Sequence, residues 1–414
     1  MNLNMEMKRY KLGEIGEIRM CKRILKEETN SVGGVPFFKI GTFGGQADVF
    51  ITKEKFDEYK NAYSYPKKGD VLISAAGTIG RTVVFDGKDA YFQDSNIVWI
   101  ENDESKVLNE YLFYCYKNIH WTTSVGSTIL RLYNDDIRNT DIIVPPLSDQ
   151  KKIASVLSAL DDKIALNKKM NQKLEAMAKR LYDYWFVQYD FPDKNGHPYK
   201  TTGGSMTYNP TLKREIPAGW EVSSFTDFGF FKNGINYDKN EEGDETVKIV
   251  NVRNISDSTT YFNIDELDDI TLKSDDIQKF VATPKDILLA RSGSPGATRL
   301  LPQTDKKIIY CGFIIRYQLN EQDLDKQLYL FHVLKGYEQV TSTQSAGSIL
   351  KNISQDTLNS LTVVMPQSNV LDDFNKKIAP IYSMLRKNIS ELNKLTILRD
   401  KLLPLLMNGQ VVVG

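Results

Sequence analysis

Two glycine-rich loops carry the side chains whose types and spacing could serve a chemical role. The loops read SAAGTIGR, residues 74–81, and ARSGSPGAT, residues 290–298. Neither is followed by Lys-Ser or Lys-Thr, so neither is a P-loop, and neither has the G-x-G-x-x-G spacing of a dinucleotide fold. Two interpretations stay open: a tight turn between two strands, or a loop that approaches a DNA backbone or base edge. The side chains of the second interpretation are Ser74, Arg81, Arg291, Ser292 and Arg299.

Other catalytic arrangements find little support in the sequence. The three histidines are isolated, and no C-x-x-C or H-x-x-x-H pair exists, so we expect no metal site. Asp161 and Asp162 are adjacent carboxylates in a lysine-rich stretch, which predicts a solvated helix face. No Ser-His-Asp arrangement can be assembled, and Asn209-Pro210 is followed by threonine, unlike the Asn-Pro-Pro-aromatic motif of amino-methyltransferases. We therefore predict a chain without an active site of its own.

Composition limits the class of protein. With 414 residues the chain has room for two or three domains, and 53 basic residues balance 53 acidic ones. A nucleic-acid site would therefore need its basic residues segregated onto one face; an evenly charged surface is the alternative. No apolar run reaches the length of a membrane span, and three widely separated cysteines fit a reducing cytoplasm.

The sequence contains an internal duplication. KKGDVLISAAGTIGRTVV, residues 67–84, aligns with residues 283–300, so that Asp70 corresponds to Asp286 at a shift of 216. YLFYCYK and YLFHVLK follow, and then GSTILRLYNDDIRNTDIIVPP aligns with GSILKNISQDTLNSLTVVMPQ at a shift of 221. Blocks recur in the same order, which predicts two similar structural units.

Each copy ends in a long helical pattern. The first pattern begins at Ser148 and continues to about Trp185, and its apolar positions follow the three- and four-residue steps of a heptad when Asn167 and Asn171 are included. The second copy repeats these positions 221 residues later, which places Asn388 opposite Asn167 in the alignment. We call these heptad positions the seam, and we predict that the two asparagines fix its register. Two helices packed separately on their own domains are the alternative.

A helix of this length would extend over about 57 Å. Two such helices packed antiparallel would hold the two globular halves at opposite ends, related by an approximate two-fold axis. This geometry suits two recognition sites on duplex DNA that lie about 34 Å or more apart.

The globular halves are predicted to be α+β. Five short apolar runs occur in each half, bounded by Gly, Pro, Asp and Asn as strands usually are: VPFFKI, DVLIS, RTVVF, NIVWI and DIIVP, then TVKIV, DILLA, KKIIY, FIIRY and LTVVM. One amphipathic helix is expected in each half, around 109–117 and 325–335. Residues 191–220 are rich in Gly, Pro, Asn and Thr, which is typical of a linker.

These blocks resemble the DNA specificity subunit of type I restriction–modification systems over nearly the whole chain. The most specific segment is PPLSDQKKIASVLSALDDKI, and the two glycine-rich blocks and the linker add to it. The second copy departs from the pattern, because PQSNVLDDFNKKI lacks the Pro-Pro and the Gln of PPLSDQKKI.

The resemblance implies a division of labour among subunits. Two target-recognition domains would each read one half of a split sequence in double-stranded DNA. The helices would set the unread gap and dock two methyltransferase subunits, with restriction and translocase subunits in the full complex. AdoMet, ATP and Mg²⁺ would then belong to the partners, and this chain would be non-catalytic with no metal of its own.

The resemblance also implies an order of domains. The expected limits are 1–147 for the first recognition domain, 148–190 for the first helix, 191–215 for the linker, 216–367 for the second recognition domain, 368–408 for the second helix, and 409–414 for a tail.

The base-reading residues are predicted among basic side chains near strand ends, because arginine forms bidentate contacts with guanine and lysine holds phosphate. To the loop residues above we add Lys39, Arg131, Arg253 and Lys351. Three other functions stay open: a subunit of a related system with fused methylation and cleavage, a coiled-coil scaffold without a DNA role, and a nuclease or methylase of a new kind.

Overall fold

The computed structural model describes residues 6–121, 131–238, 243–344 and 352–413. The chain divides into two compact units, one built from residues 1–165 together with 394–414 and the other from residues 166–393. No helix in the described parts of the chain combines the length and the apolar character needed to cross a bilayer.

The first unit contains three small sheets. Its strands are β1 Lys8–Lys11, β2 Gly16–Met20, β3 Val35–Phe38, β4 Val49–Ile51, β5 Val71–Ser74, β6 Thr82–Val84, β7 Tyr91–Phe92, β8 Ile97–Asn102 and β9 Asp141–Val144. The sheets have the orders β2-β8-β5-β6, β4-β3-β7 and β1-β9. The β2-β8-β5-β6 sheet separates two apolar cores, one on each face, since successive side chains of a strand point to opposite faces. The β4-β3-β7 sheet borders the core that contains Leu72 and Trp99.

Three short helices flank these sheets, and a long one follows them. They are α1 Lys53–Ala62, α2 Asn109–Asn118, α3 Asn134–Asn139 and α4 Leu147–Tyr182. Helix α4 starts in the first unit and crosses into the second, where a π-helical turn, Asp183–Val187, extends it.

The second unit repeats the three sheets. Its strands are β10 Met206–Asn209, β11 Arg214–Pro217, β12 Glu221–Ser224, β13 Gly229–Asn233, β14 Glu245–Val250, β15 Asp268–Leu272, β16 Ile287–Ala290, β17 Thr298–Leu300, β18 Ile308–Tyr310, β19 Ile314–Leu319 and β20 Thr362–Met365. The orders β13-β19-β16-β17, β15-β14-β18 and β12-β20 match those of the first unit. The parallel pair β3–β7 corresponds to the parallel pair β14–β18, and the other pairs are antiparallel in both units. The predicted duplication is therefore confirmed as a duplication of topology.

The helices of the second unit are again mostly short. They are α5 Val252–Ser256, α6 Ser274–Gln278, α7 Gln327–Gln344, α8 Gln355–Asn359 and α9 Ser368–Met407. The expectation of one helix in each half was too simple. Helices α2 and α7 are the two that were expected, while α1, α3, α5, α6 and α8 are additional.

Each of the ten apolar runs predicted as strands overlaps a strand. The turn that leads into the central strand is also repeated. The Asp70 carboxylate accepts a hydrogen bond from the backbone N–H of Lys67, and Asp286 accepts one from Thr283, both at 2.7 Å. Burial raises the pKa of both carboxyl groups.

The long helices begin at equivalent positions, since Leu147 and Ser368 are 221 residues apart. In the first copy the buried Gln150 amide donates hydrogen bonds to the carbonyl groups of Lys106 and Pro145, each at 2.9 Å. Leu371 occupies the equivalent buried position in the second copy. An apolar side chain has thus replaced a hydrogen-bonded amide, and both are buried without an unpaired polar group.

In the first unit, the parts of α4 and α9 that belong to it are joined by an ion pair. Arg399 donates to Asp161 at 3.0 Å, and Lys117 of α2 lies 3.2 Å from the same carboxylate. Burial raises the pKa of Asp161, but hydrogen bonds and charges from Arg399 and Lys117 outweigh it and lower the pKa overall. The prediction of a solvated face was therefore wrong for Asp161, because its partners come from distant parts of the sequence.

In the second unit the two helices also run antiparallel. Asn167 pairs with Glu391 near one end, and the rings of Trp185 and Phe374 lie 5.9 Å apart near the other. Seam residues of both helices are buried in one apolar core. The fold is thus α+β, with two tandem pseudo-repeated units, each followed by a long helix, and the helices form the antiparallel pair that the seam predicted.

The predicted linker is more ordered than its composition suggested. Strands β10 and β11 form a hairpin, and the rings of Phe191 and Trp220 stack with centroids 5.0 Å apart. Phe191 also stacks on Tyr199 at 4.6 Å. Aromatic packing therefore fixes this segment on the second unit.

Candidate nucleic-acid interface

The first glycine-rich loop is a turn between strands β5 and β6. Gly77 and Gly80 have φ angles of 65° and 79°, which side-chain-bearing residues rarely adopt. A Cβ atom on Gly80 would lie 2.5 Å from the Trp121 ring. The interpretation as a tight turn is therefore correct for the backbone, and the tryptophan packs closely against it.

Ser74 is used inside this turn. Its side chain is buried, and its hydroxyl donates to the carbonyl of Thr78 and accepts from the backbone N–H of Arg81 at 2.9 Å. In this conformation the hydroxyl holds the turn, and no part of it is offered to a ligand.

Arg81 and Arg131 are each tied to a backbone carbonyl of another segment of the first unit. Arg81 donates to the carbonyl of Phe43 at 2.8 Å, and Arg131 donates to the carbonyl of Ser95 at 3.1 Å. Each guanidinium has five N–H donors, so donors remain on both for an external acceptor. The Arg131 backbone also bridges to Ala76 in the loop.

Lys39 and Arg253 are held in ion pairs on the surfaces of their units. Lys39 lies 3.1 Å from Asp48, and Arg253 pairs with Asp268. Exposed pairs of this kind contribute about 0–1 kcal/mol, so either cation could exchange its carboxylate for a phosphate at little cost.

The second glycine-rich loop is the equivalent turn between β16 and β17, with φ angles of 79° at Gly293 and 85° at Gly296. Arg299 lies beyond it and is buried. Its guanidinium donates to both carboxylate oxygens of Glu338, at 3.0 and 3.3 Å, and to the carbonyl of Thr298 at 2.8 Å. These contacts give Arg299 a structural role, because its donors point into the unit.

Arg291 differs from Arg299 in its surroundings. It is half-buried at the end of β16, and among the described residues no acceptor lies within hydrogen-bonding distance of its guanidinium. The neighbouring Ser292 forms an isolated backbone bridge with Asn352. Of the two predicted arginines of this loop, only Arg299 is thus engaged through its guanidinium by described residues. Lys351 lies outside the described residues.

The seam asparagines do not pair with each other. The buried Asn167 amide donates to Glu391 at 3.2 Å. Asn171 and Asn388 are two further amides of the predicted seam, on α4 and α9 respectively. Within the described residues, neither the Asn388 Nδ2 atom nor the Asn171 Oδ1 atom has a hydrogen-bond partner. The seam thus retains one unpaired amide donor, on Asn388, and one unpaired amide acceptor, on Asn171, among the described residues.

Sequence reasoning missed Phe313, which lies within the run FIIRY. It precedes β19, its side chain is 61% exposed, and its carbonyl accepts a hydrogen bond from the Arg291 backbone at 2.8 Å. Nothing in the run distinguishes it from a strand residue, since its exposure depends on the turn before it. Among the described residues, no group of His, Cys, Asp and Glu could hold a metal ion.

Comparison with known proteins finds similarity to one kind of protein. The family model described as "Type I restriction modification DNA specificity domain" matches residues 4–176. A Haemophilus influenzae protein named as a type I restriction enzyme specificity subunit is 56% identical over 161 residues, which are 39% of this chain and 42% of that protein.

Longer alignments cover the whole chain. The MjaIX specificity subunit of Methanocaldococcus jannaschii is 25% identical over 99% of this chain and 97% of its own length. The HindI specificity subunit of H. influenzae is 23% identical over 98% and 100%.

One solved structure shares the fold. The S subunit of the type I restriction–modification system from M. genitalium matches with a TM-score of 0.61 at 15% identity, covering 98% of this chain and 97% of that one. Residues 4–176 thus match the domain of that family, and the chain as a whole is similar over its full length to DNA specificity subunits of type I restriction–modification systems.

Proposed function

We propose that each unit binds one half of a bipartite target in duplex DNA, that α4 and α9 set the length of the unread gap, and that the helices dock two methyltransferase subunits. The main support is that both units have the same three-sheet framework but carry different side chains around its glycine-rich turns. A shared framework would place two reading surfaces alike, while different side chains would give them different half-sites. The chain acts as the non-catalytic subunit, and AdoMet, ATP and Mg²⁺ bind to partner subunits.

The methylation pattern of a genome tests this proposal. The chain is co-expressed with its methyltransferase partner, and methylated bases are mapped. A split motif with a fixed gap is expected, and methylation without such a motif would contradict the proposal. The rival functions predict other results. A coiled-coil scaffold without a DNA role would show no salt-sensitive binding to duplex DNA, whereas phosphate contacts make affinity fall steeply with salt. An enzyme would bind AdoMet or cleave DNA with Mg²⁺ as a lone chain.

The substitution Arg291→Ala tests the second unit. We expect the half-site read by this unit to become relaxed or lost, because a bidentate arginine–guanine contact contributes about 1–3 kcal/mol of discrimination, or about 5- to 150-fold. The other half-site should stay unchanged. Arg214→Ala, which removes an exposed arginine of the linker hairpin, serves as the matched control. An unchanged methylome for Arg291→Ala would remove this residue from the reading surface.

The outer face of α4 supports the docking of a partner. Leu166, Met170 and Met177 are exposed, and their spacing of four and seven residues places them on one face beside the seam. Tyr184, in the π-helical turn that extends α4, is exposed as well. Polar residues occupy the intervening positions of this face. An apolar stripe on an otherwise charged helix is typical of a surface that a second protein covers.

Met177→Glu is expected to weaken co-purification of the methyltransferase by about tenfold or more, because burying a methionine contributes about 1.5–3 kcal/mol. Duplex binding by the chain itself should persist. Lys169→Glu, a charge change elsewhere on the exposed surface of α4, is the control. Equal recovery of the partner with both variants would place the docking surface elsewhere.

A further inference from the structure

The two units share a small backbone framework at the base of the glycine-rich turns. In the first unit, Ala75 donates to the carbonyl of Asn96 and accepts from the N–H of Leu132, both at 2.8 Å. Ala76 then bridges to Arg131. Three separate chain segments therefore meet at the end of β5: the turn itself, the turn before β8 and the segment before α3.

The second unit repeats this framework hydrogen bond by hydrogen bond. Arg291 donates to the carbonyl of Phe313 at 2.8 Å and accepts from the N–H of Ile353 at 2.9 Å. Ser292 bridges to Asn352 as Ala76 does to Arg131. The framework is thus a fixed feature of the fold, and the side chains that it presents are what differ between the units.

Three equivalent positions carry unlike side chains. They are Ala75, Asn96 and Arg131 in the first unit, and Arg291, Phe313 and Asn352 in the second. Hydrogen-bonding groups dominate the first set, whereas the second set adds a benzyl group. A change from amide to benzyl on the same backbone changes which base edges could be contacted, since phenylalanine has no donor or acceptor in its side chain.

Phe313 is an exposed aromatic residue that follows a closely packed glycine. The preceding Gly312 lies so close to Asn236 that a Cβ atom there would be 1.9 Å from the Asn236 Oδ1 atom. The turn is therefore tightly packed before Phe313, while β19 begins directly after it. The Phe313 backbone is joined to that of Arg291 by the 2.8 Å hydrogen bond of the framework, so the two residues are neighbours at the end of β16.

We propose that Phe313 is a specificity-determining residue of the second unit and that its ring contacts the 5-methyl group of a thymine in the major groove. This rests on the proposed function, in which the second unit reads one half-site. The thymine methyl is the one apolar group that a base pair offers there, and it is the group that an apolar side chain distinguishes. Arg291, its neighbour in the framework, would supply the polar contact to a neighbouring base.

The test replaces each thymine of the second half-site with uracil, which removes only the methyl group. Duplexes with single replacements are titrated with the complex of this chain and its methyltransferase. We expect one replacement to weaken binding of the wild-type complex about fourfold, the value for burial of one methyl-sized group at about 0.8 kcal/mol. Phe313→Ala should bind the thymine duplex about fourfold more weakly and show no further loss with uracil.

Two variants complete the experiment. Phe313→Asn introduces the residue of the equivalent position in the first unit, and it too should lose the sensitivity to uracil while folding normally. Phe230→Ala, which removes another exposed phenylalanine of the same unit, should keep the sensitivity of the wild type.

Three outcomes would overturn the inference: a second half-site without thymine, a wild-type complex indifferent to every uracil, or a Phe313→Ala complex that keeps its sensitivity. If the Phe313 ring were instead inserted between base pairs, the wild-type complex would be indifferent to every uracil. Failure of the proposed function is recognised separately, because the wild-type complex would then have no bipartite motif at all.

Discussion

Insertion of one heptad into both long helices is expected to lengthen the unread gap of the DNA target while both half-sites stay unchanged. Seven residues copying 159–165 are inserted after Ala165 in α4, and seven copying 387–393 are inserted after Asn393 in α9. Both insertions fall at the limits of the two compact units, so the packing inside each unit is preserved. A heptad preserves the seam because its apolar pattern repeats every seven residues.

The size of the change follows from helix geometry. Seven residues add about 10 Å to each helix, which corresponds to at most about three base pairs of duplex DNA at 3.4 Å each. Mapping of methylated bases in cells that express the variant with its methyltransferase measures the gap directly.

Two controls separate spacing from general damage. Insertion into α4 alone shifts the two halves of the seam against each other, so bipartite methylation should be lost. Seven Gly and Ser residues inserted in the exposed turn after Asn195 should leave the gap as it is, because that turn lies outside both helices. An unchanged gap after the double insertion would exclude the helices as the spacer.

Acidification is expected to destabilise the second unit through His332. This imidazole is buried, lies 3.0 Å from the hydroxyl of Tyr382, and stacks on Tyr182 with centroids 5.0 Å apart. Burial, together with the positive charges of Lys335 and Lys179, lowers its pKa to about 3. An unfolded histidine has a pKa of about 6.5, so the unfolded state takes up the proton first as the pH falls.

The effect on the free energy of unfolding follows from this difference in pKa. The contribution of the neutral, buried His332 to stability is fully present above pH 6.5 and is lost progressively as the pH falls toward 3, by about 2 kcal/mol at pH 5. His332→Gln keeps a hydrogen-bonding side chain that does not titrate. We therefore expect its free energy of unfolding in urea to fall less steeply between pH 6.5 and pH 4, by about 1.4 kcal/mol per pH unit. His197→Gln, at an exposed position of the linker, should keep the wild-type slope. Equal slopes for wild type and His332→Gln would contradict the assignment.

The sequence was sufficient to predict those strands and helices whose own residues show a clear local pattern. Runs such as DVLIS and DILLA became β5 and β16 because β-branched and apolar residues between turn formers suit a buried strand. Strands β1 and β12 were not predicted, because KRYK and EVSS are polar and become strands only by pairing with β9 and β20. Those partners lie more than a hundred residues away, where local patterns give no information.

The candidate site was less accessible to prediction for a related reason. Serine and arginine are usually exposed, so Ser74 and Arg299 were predicted to face a ligand, yet both are buried among hydrogen-bond partners. The acceptor of Arg299 is Glu338, 39 residues away. Phe313 was assigned to a strand as part of the run FIIRY, yet it precedes β19 and its side chain is 61% exposed.

The first unit is built from two separate stretches of the sequence, and this affects its synthesis and its genetic exchange. Leu406 and Met407 of α9 are buried in the same core as Ile153 and Leu157 of α4, so this unit is assembled from both ends of the sequence. During translation, the second unit is complete once residue 393 has emerged, whereas the core of the first still lacks its last helix. The first unit therefore begins to emerge before the second but completes its core after it. A recombination event that replaced residues 166–393 as a single block would exchange the second unit and leave every residue of the first unit in place.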